Sequence, residues 1–120
     1  MSAKTYSEIY EILSSVSVTT GGEPIPAVFN FWEIGQVPDL PYIVFTYPMH
    51  NDYRADNRNY LTVAQLQVEL YTKRKDLAVE AAVESVLSQH WIYDKASNWL
   101  DADDMQQTLY TMEVMIKYGE

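Results

Sequence analysis

The clearest pattern along the chain is an alternation of apolar and polar residues within 60–72. Leu66, Val68 and Leu70 fall on one side of an extended chain, and the residues between them are polar or amphipathic. A period of two with apolar, β-branched and aromatic residues predicts a strand with one covered and one polar face. We expect this strand to organise the rest of the fold.

The start of the same strand departs from this alternation. Leu61 and Val63 have the opposite parity to the later apolar residues, so the phase slips near Ala64. A β-bulge would explain the slip, and so would a second covered face at the start of the strand. The bulge is the interpretation we favour.

Apolar residues at helical spacing predict two helices. The first spans 5–15, with Thr5 or Ser7 as its N-cap and an apolar side formed by Tyr6, Ile9, Tyr10 and Leu13. The second spans 76–90 and begins at Asp76. It has one apolar and one polar side: Val79, Ala82, Val83, Val86 and Leu87 on the first, and Glu80, Glu84, Ser85 and Ser88 on the second.

Four further segments have the composition of strands. Their predicted bounds are 27–32, with nearby prolines that favour a sheet edge, 42–47 as an interior strand, 92–100 as a weaker strand, and 105–118. Pro48 should end the regular ladder of the second of these. The polar residues 49–59 should form the long loop of a β-hairpin arm between 42–47 and 60–72.

The resulting element order is α-β-β-β-α-β-β. This order is typical of an α+β domain with two helices packed on a mostly antiparallel sheet. The length of 120 residues fits a single domain, 1–120, and no repeat or linker divides it.

Composition and charge exclude several classes of function. The net charge of −9 is opposite to that of a protein that binds the phosphate backbone, and Lys73, Arg74 and Lys75 fit a solvated turn better than a nucleic-acid site. The chain has no cysteine, which excludes disulfides and thiolate metal sites. Without an apolar leader or a long apolar run, the sequence predicts a soluble cytosolic protein.

The sequence offers no convincing catalytic, cofactor or metal site. His50 and His90 fall in different predicted elements, and neither has a second histidine or a cysteine nearby. Residues 101–104 resemble the start of a calcium loop, but Met105 and the missing glycine break the pattern, so an Asp-rich turn is the better interpretation. We therefore expect a protein that is not an enzyme and that needs no cofactor.

Aromatic and basic residues suggest two binding surfaces instead. Tyr53, Arg54, Asp56 and Arg58 fall at the predicted tip of the arm, and Tyr and Arg are enriched at binding hot spots. These four residues are our candidate interface. A less favoured alternative is a ligand pocket built from Phe31, Trp32 and Trp99.

Several stretches together resemble one family of proteins. They are Leu-Pro-Tyr-Ile-Val-Phe at 40–45, Asn-Asp-Tyr-Arg-Ala-Asp-Asn at 51–57, the strand and start of the helix at 65–76, and Leu-Tyr-Thr-Met-Glu-Val at 109–114. This combination is similar to small tail terminator, tail completion or head–tail joining proteins of long-tailed phages and prophages of Gram-positive bacteria. The resemblance covers roughly 24–118 and involves structural rather than catalytic motifs.

The resemblance implies a virion protein of the tail or neck, present in the host cytoplasm during assembly. Such proteins form rings, commonly hexamers, that cap the tail tube and contact both the major tail tube protein and the head connector or head-closure protein. DNA passes through the ring without specific binding, which suits a negatively charged chain. An alternative from the same setting is another head–tail morphogenesis component, such as a head-closure or minor capsid protein.

Overall fold

The computed structural model describes residues 3–19, 22–55 and 58–117, and within 50–61 it describes the backbone of the strands only. The elements follow the predicted order α-β-β-β-α-β-β. They are α1 (Tyr6–Leu13), β1 (Ala27–Phe29), β2 (Tyr42–Ala55), β3 (Arg58–Thr72), α2 (Leu77–Leu87), β4 (Tyr93–Leu100) and β5 (Met105–Lys117), with a short 3-10 helix at Asp101–Asp103.

The five strands form one mixed sheet in the order β1-β2-β3-β5-β4. Only β1 pairs in parallel, with β2, and the other neighbours are antiparallel. The α+β class and the element order predicted from the sequence are therefore confirmed. The edge position predicted for β1 is also confirmed, although β1 ends at Phe29 because Asn30 adopts a positive φ of 71°.

Both helices cover the same face of the sheet. Ile9 and Leu13 of α1 and Val83 and Leu87 of α2 are fully buried in one core cluster with Leu66 and Val68 of β3. On β5 the residues with even numbers from Gln106 to Ile116 are buried, as the sequence alternation predicts. The opposite face of the sheet has no helix against it in the described part of the chain.

The predicted slip in β3 is wrong. Thr62 and Ala64 are buried on the same face as Leu66, and β3 pairs with β5 without interruption from Leu61 to Thr72. Val63, on the other face, is half-buried. The alternation is therefore continuous, and it includes a threonine and an alanine that the apolar pattern did not count.

A bulge is present, but it lies in β2. Between Thr46 and Met49 the register of β2 against β3 shifts by one residue, next to Pro48. Pro48 therefore does not end the strand, because a bulge accommodates its missing N–H group. β2 continues to Ala55, and most of the predicted loop at 49–59 is paired strand instead.

Each helix begins at a predicted cap. The Thr5 hydroxyl accepts a hydrogen bond from the Glu8 amide, and the Glu8 carboxylate accepts one from the Thr5 amide at 2.8 Å. This capping box satisfies two amides that the helix leaves unbonded. At α2 the Asp76 carboxylate accepts a hydrogen bond from the Val79 amide at 3.2 Å, and α2 ends at Leu87, three residues before the predicted end.

The assignment of faces on β3 can be tested by paired substitutions. Leu66→Ala removes a fully buried side chain and should lower the free energy of unfolding by roughly 2–5 kcal/mol. Gln65→Ala, on the uncovered face one residue away, should change it by less than about 0.5 kcal/mol. Urea denaturation followed by circular dichroism measures both, and similar losses would contradict the assignment.

Candidate assembly surfaces

Three of the four predicted interface residues come from the far end of the β2–β3 hairpin. Tyr53 and Arg54 belong to the end of β2, and Arg58 is the first residue of β3. Arg54 pairs with Asn59, the residue that follows Arg58. Asp56 lies outside the described residues. The hairpin therefore brings the three described positions to one end of the sheet, through their backbones.

Within the residues that the structure describes, the sheet has an unpaired outer edge on each side. One is the part of β2 that β1 does not cover, and the other is β4. β1 pairs with β2 only from Ile43 to Phe45, and no strand of the described part pairs with the outer edge of β2 over 49–55. On the opposite side, no described strand covers the outer edge of Tyr93–Leu100. Such edges present N–H and C=O groups to which a further strand can be added.

The end of β5 is protected in a different way. Lys4, which precedes α1, forms a parallel bridge with Ile116. Its amide donates to the carbonyl oxygen of Met115, and its carbonyl oxygen accepts from the amide of Lys117, both at 2.9 Å. The segment before α1 thus continues the sheet beyond the point where β4 pairs with β5.

The uncovered face carries a chain of polar side chains that bond to one another. The Gln67 amide donates to Glu69 Oε2 at 2.9 Å, and the Tyr71 hydroxyl donates to Glu69 Oε1 at 2.6 Å. The Gln107 amide donates to the Tyr71 hydroxyl at 2.9 Å, and Asn98 donates to Gln107 at 3.4 Å. Burial, together with the bond to Glu69, raises the pKa of Tyr71, so its hydroxyl stays neutral. This face, which we call the polar face, carries polar groups that largely satisfy one another, between half-buried apolar residues of the same parity.

Acidic residues outnumber basic ones on the polar face. Glu69 on β3, Glu113 on β5 and Asp94 on β4 all have the parity of this face. Among the side chains that the structure describes on these three strands, Lys117 is the one base of the same parity. The polar face is therefore a weakly acidic surface, which repels rather than holds a polyanion.

A buried carboxylate lies on the helix side of the sheet. Glu80 is 1% exposed, with Lys75 Nζ 3.1 Å from Oε2 and Lys95 Nζ 2.8 Å from Oε1. Lys95 also lies 2.6 Å from Glu84 Oε2, which accepts a 2.8 Å hydrogen bond from the Tyr110 hydroxyl. This ion network joins α2 to the preceding turn, to β4 and to β5.

The prediction that Glu80 lies on the polar side of α2 is wrong. The buried residues of α2 are Val79, Glu80, Val83 and Leu87, so Glu80 lies within the apolar side. Its burial is possible because Lys95 approaches from β4 and Lys75 from the turn before the helix. The helix sequence alone contains no sign of these two partners.

The network sets the pKa values of its members. Burial raises the pKa of Glu80, but hydrogen bonds and charges from Lys95 and Lys75 outweigh it, and the net pKa is lowered from its ordinary value of 4.5. Hydrogen bonds to Glu80 and Glu84 raise the pKa of Lys95 from its ordinary 10.5. The Glu80 contribution to stability is thus present above pH 4.5 and is lost as the pH falls through the lowered value. The Lys95 contribution is present below pH 10.5 and is lost as the pH rises through the raised value.

An aromatic groove opens between α1 and the β1–β2 side of the sheet. Its volume is about 500 Å³, and Tyr10 and Phe29 on its walls are each 48% exposed. The rings of Tyr6 and Tyr47 meet edge to face with centroids 5.0 Å apart. Grooves lined by aromatic side chains are typical of binding sites. The groove is lined by Tyr6, Ser7, Tyr10, Phe29, Phe45 and Tyr47.

The alternative ligand pocket loses its geometric basis. Trp32 follows β1 and packs edge to face on Tyr42, with ring centroids 6.0 Å apart, whereas Trp99 lies on β4 at the other edge of the sheet. Four strand spacings separate these edges, which is roughly 19 Å. Phe31 is 66% exposed near the first of them. The structure therefore does not bring the three residues together.

The histidines and the Asp-rich turn do not converge on a site. Burial, followed by the charge of Lys4, lowers the pKa of His90, and the side chain of His50 is outside the described part. Asp101, Asp103 and Asp104 are exposed around the 3-10 helix. Within 3–19, 22–55 and 58–117 no group of three or more His, Cys, Asp or Glu side chains is placed to hold a metal ion.

No known protein family matches this chain, and no curated protein matches it either. Neither helix of the described part is long and apolar enough to cross a membrane. The features of the described residues that bear on function are therefore the sheet edges, the polar face and the aromatic groove.

The ion network can be tested with Glu80→Gln. At pH 7 the substitution should lower the free energy of unfolding by about 1.5–3 kcal/mol, near the lower limit because both lysines are partly exposed. The difference from the original protein should shrink at pH 3, because the stability that the Glu80 carboxylate contributes declines as the pH falls below 4.5 toward its lowered pKa. Urea denaturation at both pH values measures it. Glu11→Gln, an exposed change on α1, is the control, and a difference independent of pH would contradict the assignment.

Proposed function

We propose that this chain is a phage or prophage structural protein that assembles into a homo-oligomeric ring. The ring caps the tail tube, contacts the major tail tube protein, and joins the tube to the head connector or head-closure protein. It neither catalyses a reaction nor carries a cofactor. The observation that carries the proposal is a single sheet with an outer edge available on each side.

Two different edges on opposite sides of the molecule favour head-to-tail contacts. A head-to-tail contact uses two distinct surfaces, and it forms a ring when its rotation closes. In this chain the two surfaces are the outer edge of β2 over 49–55 and the outer edge of β4. The extension of β2 and β3 beyond the core provides the reach to a neighbouring copy.

The polar face supports the part of the proposal that concerns DNA. A channel for DNA should be hydrophilic and should not hold phosphates. Each contact between a phosphate and a basic side chain would add salt-dependent affinity. Glu69, Glu113 and Asp94 give the polar face the appropriate sign. Lys75 from the basic cluster is held by Glu80 on the helix side instead. We therefore place the polar face toward the channel and the helices on the outside.

Deleting residues 52–58 should abolish the ring and preserve the fold. The deletion removes the end of the hairpin, which carries no described core residue, and with it much of the outer edge of β2. We expect light scattering after gel filtration to give a multiple of the 13.9 kDa monomer for the original protein and a monomer for the variant. Electron micrographs should show rings for the original protein only.

The control for the deletion is its urea denaturation midpoint, which should stay close to that of the original protein. A deletion variant that still assembles would remove the hairpin from the interface. An original protein that stays monomeric at every concentration, alone and mixed with tail tubes, would count against the ring itself.

The orientation of the polar face can be tested with lysines. Gln67 and Thr111 are direct cross-strand partners on this face, so Gln67→Lys/Thr111→Lys should line the channel with positively charged side chains. Rings of this variant should bind linear duplex DNA with an affinity that falls as salt rises, and should bind closed circles poorly because these cannot thread. Ser85→Lys/Ser88→Lys, with one exposed position on α2 and one at its C-cap, is the control. Equal DNA binding by the two variants would show that the polar face does not line the channel.

A further inference from the structure

We propose that neighbouring copies join by adding β4 of one copy, antiparallel, to the outer edge of β2 of the next, with Trp99 entering the aromatic groove. This inference rests on the proposed ring and identifies its contact surfaces. Its occupant is a second copy of the chain, because the other edge of the same sheet carries the features that the groove and the edge of β2 require.

The two edges match in length. The uncovered part of β2 is 49–55, and β4 spans Tyr93–Leu100. At about 3.4 Å per residue these segments are roughly 24 and 27 Å long. Either one can therefore pair with the other over almost its whole length.

The two edges also match in direction. β2 is antiparallel to β3, β3 to β5, and β5 to β4, so β4 and β2 run in opposite directions within one copy. A neighbour placed beside the first copy in the same orientation consequently presents β2 antiparallel to β4. The helices of both copies then lie on the same side of a continuous sheet.

The aromatic side chains meet on that same side. Trp99 pairs with Gln106, a buried residue of the helix-covered face, so Trp99 belongs to the helix side of β4. The groove is on the helix side too, since Phe45 on its floor is a core residue. Trp99 is near the end of β4, and the groove is near the start of the uncovered part of β2. Antiparallel pairing brings these two ends together.

The area that a stable contact must bury favours a partner that contributes both a strand and an aromatic side chain. A specific interface buries about 800 Å² on each partner, and one fully buried aromatic side chain contributes roughly 150–250 Å². Tyr10, Phe29 and Trp99 are each about half exposed, so ring contacts alone supply a minor part of that area. A strand added along β2 supplies more, and β4 carries Trp99 on such a strand.

The charge on β4 does not oppose this pairing. A lysine on the inward side of an edge strand commonly protects the edge against another sheet. Lys95 has this position, but its ammonium group is bound by Glu80 at 2.8 Å and Glu84 at 2.6 Å. The carboxylates therefore compensate the charge that would otherwise keep a neighbour away.

Pairing between copies must keep the polar faces of both copies on the same side of the sheet. A register that does so also tilts the strands by a reasonable angle. Asn98 and Tyr71 both pair with Gln107, whereas Met49 pairs with Gln65. Pairing Asn98 with Met49 thus shifts the neighbour by six residues, roughly 20 Å along the strands, across a five-stranded sheet roughly 24 Å wide. The strands then slope by about 40°, within the range of about 35–45° found in closed sheets.

Cysteine cross-linking tests this register, because the chain has no native cysteine. In Met49→Cys/Asn98→Cys the two introduced thiols face each other across the contact, at the separation that a disulfide needs. Mild oxidation should give a ladder of covalent oligomers up to the size of the ring, seen by denaturing electrophoresis. Ser85→Cys/Asn98→Cys, with one thiol on exposed α2, is the control and should stay monomeric under denaturing conditions.

Trp99→Ser tests the groove separately. It leaves the strand in place, and it should raise the dissociation constant of assembly by about tenfold or more, as expected for a tryptophan buried in an interface. Unchanged urea denaturation of the monomer shows that the fold is intact. An unchanged dissociation constant would remove Trp99 from the contact.

The outcomes separate this inference from the proposed function. If rings form but Met49→Cys and Asn98→Cys do not cross-link, the inferred contact is overturned and the proposed ring still stands. Covalent dimers from Asn98→Cys alone indicate that β4 pairs with β4, which also overturns it. A protein that forms neither rings nor cross-links at any concentration overturns both.

Discussion

The burial of one face of β3 constrains every other element of this molecule. Its even-numbered residues from Thr62 to Thr72 are buried, and the two helices that bury them both come from the same side. Since the described part of the chain has no third α-helix to place against the other face, that face must tolerate water. It does so through the hydrogen bonds from Gln67 and Tyr71 to Glu69, which satisfy polar groups at the surface. A two-layer architecture therefore accounts for the polar face without any reference to function.

The ion network under α2 is a second consequence of the same packing. α2 contacts the side of the sheet on which β4 is the last strand, and an edge strand cannot fully cover a helix. Glu80 at this boundary is buried, yet it is still within reach of Lys95 from β4 and Lys75 from the turn. Such a network makes the position of β4 sensitive to charge, because loss of the carboxylate leaves two lysines with no common partner. The same carboxylate compensates the charge of Lys95, which lies on the helix side of the edge strand β4.

The parts of the fold that bury their own side chains were predictable from the sequence. The alternation in Leu66, Val68 and Leu70 and the helical spacing around Val83 report burial directly, and both are confirmed. Strand β2 beyond Pro48 was not predictable, because residues 49–55 show no alternation of apolar and polar residues in the sequence. Glu80 was missed because its partners are distant in the sequence.

The candidate site was predictable only in outline. Tyr53, Arg54 and Arg58 were selected by residue type, and the structure places their backbones at one end of the hairpin. The aromatic groove was missed, since Tyr6 and Tyr10 have the spacing of core residues in a helix. They are partly exposed because β1, the strand beneath them, is only three residues long. Only the tertiary arrangement reveals that the sheet ends there.

The hairpin itself is the feature of the structure that most favours the proposed assembly. Among the described residues β5 pairs with β3 as far as Leu61, so the end of the hairpin, from Arg54 and Asn59 outward, is a two-stranded ribbon. A two-stranded ribbon in water is marginally stable, and a third strand is needed for independent stability. The chain contributes no such strand along the outer edge of β2 over 49–55 in its described part. A second copy can contribute it, and the hairpin would then be as much a part of the sheet as the core strands are.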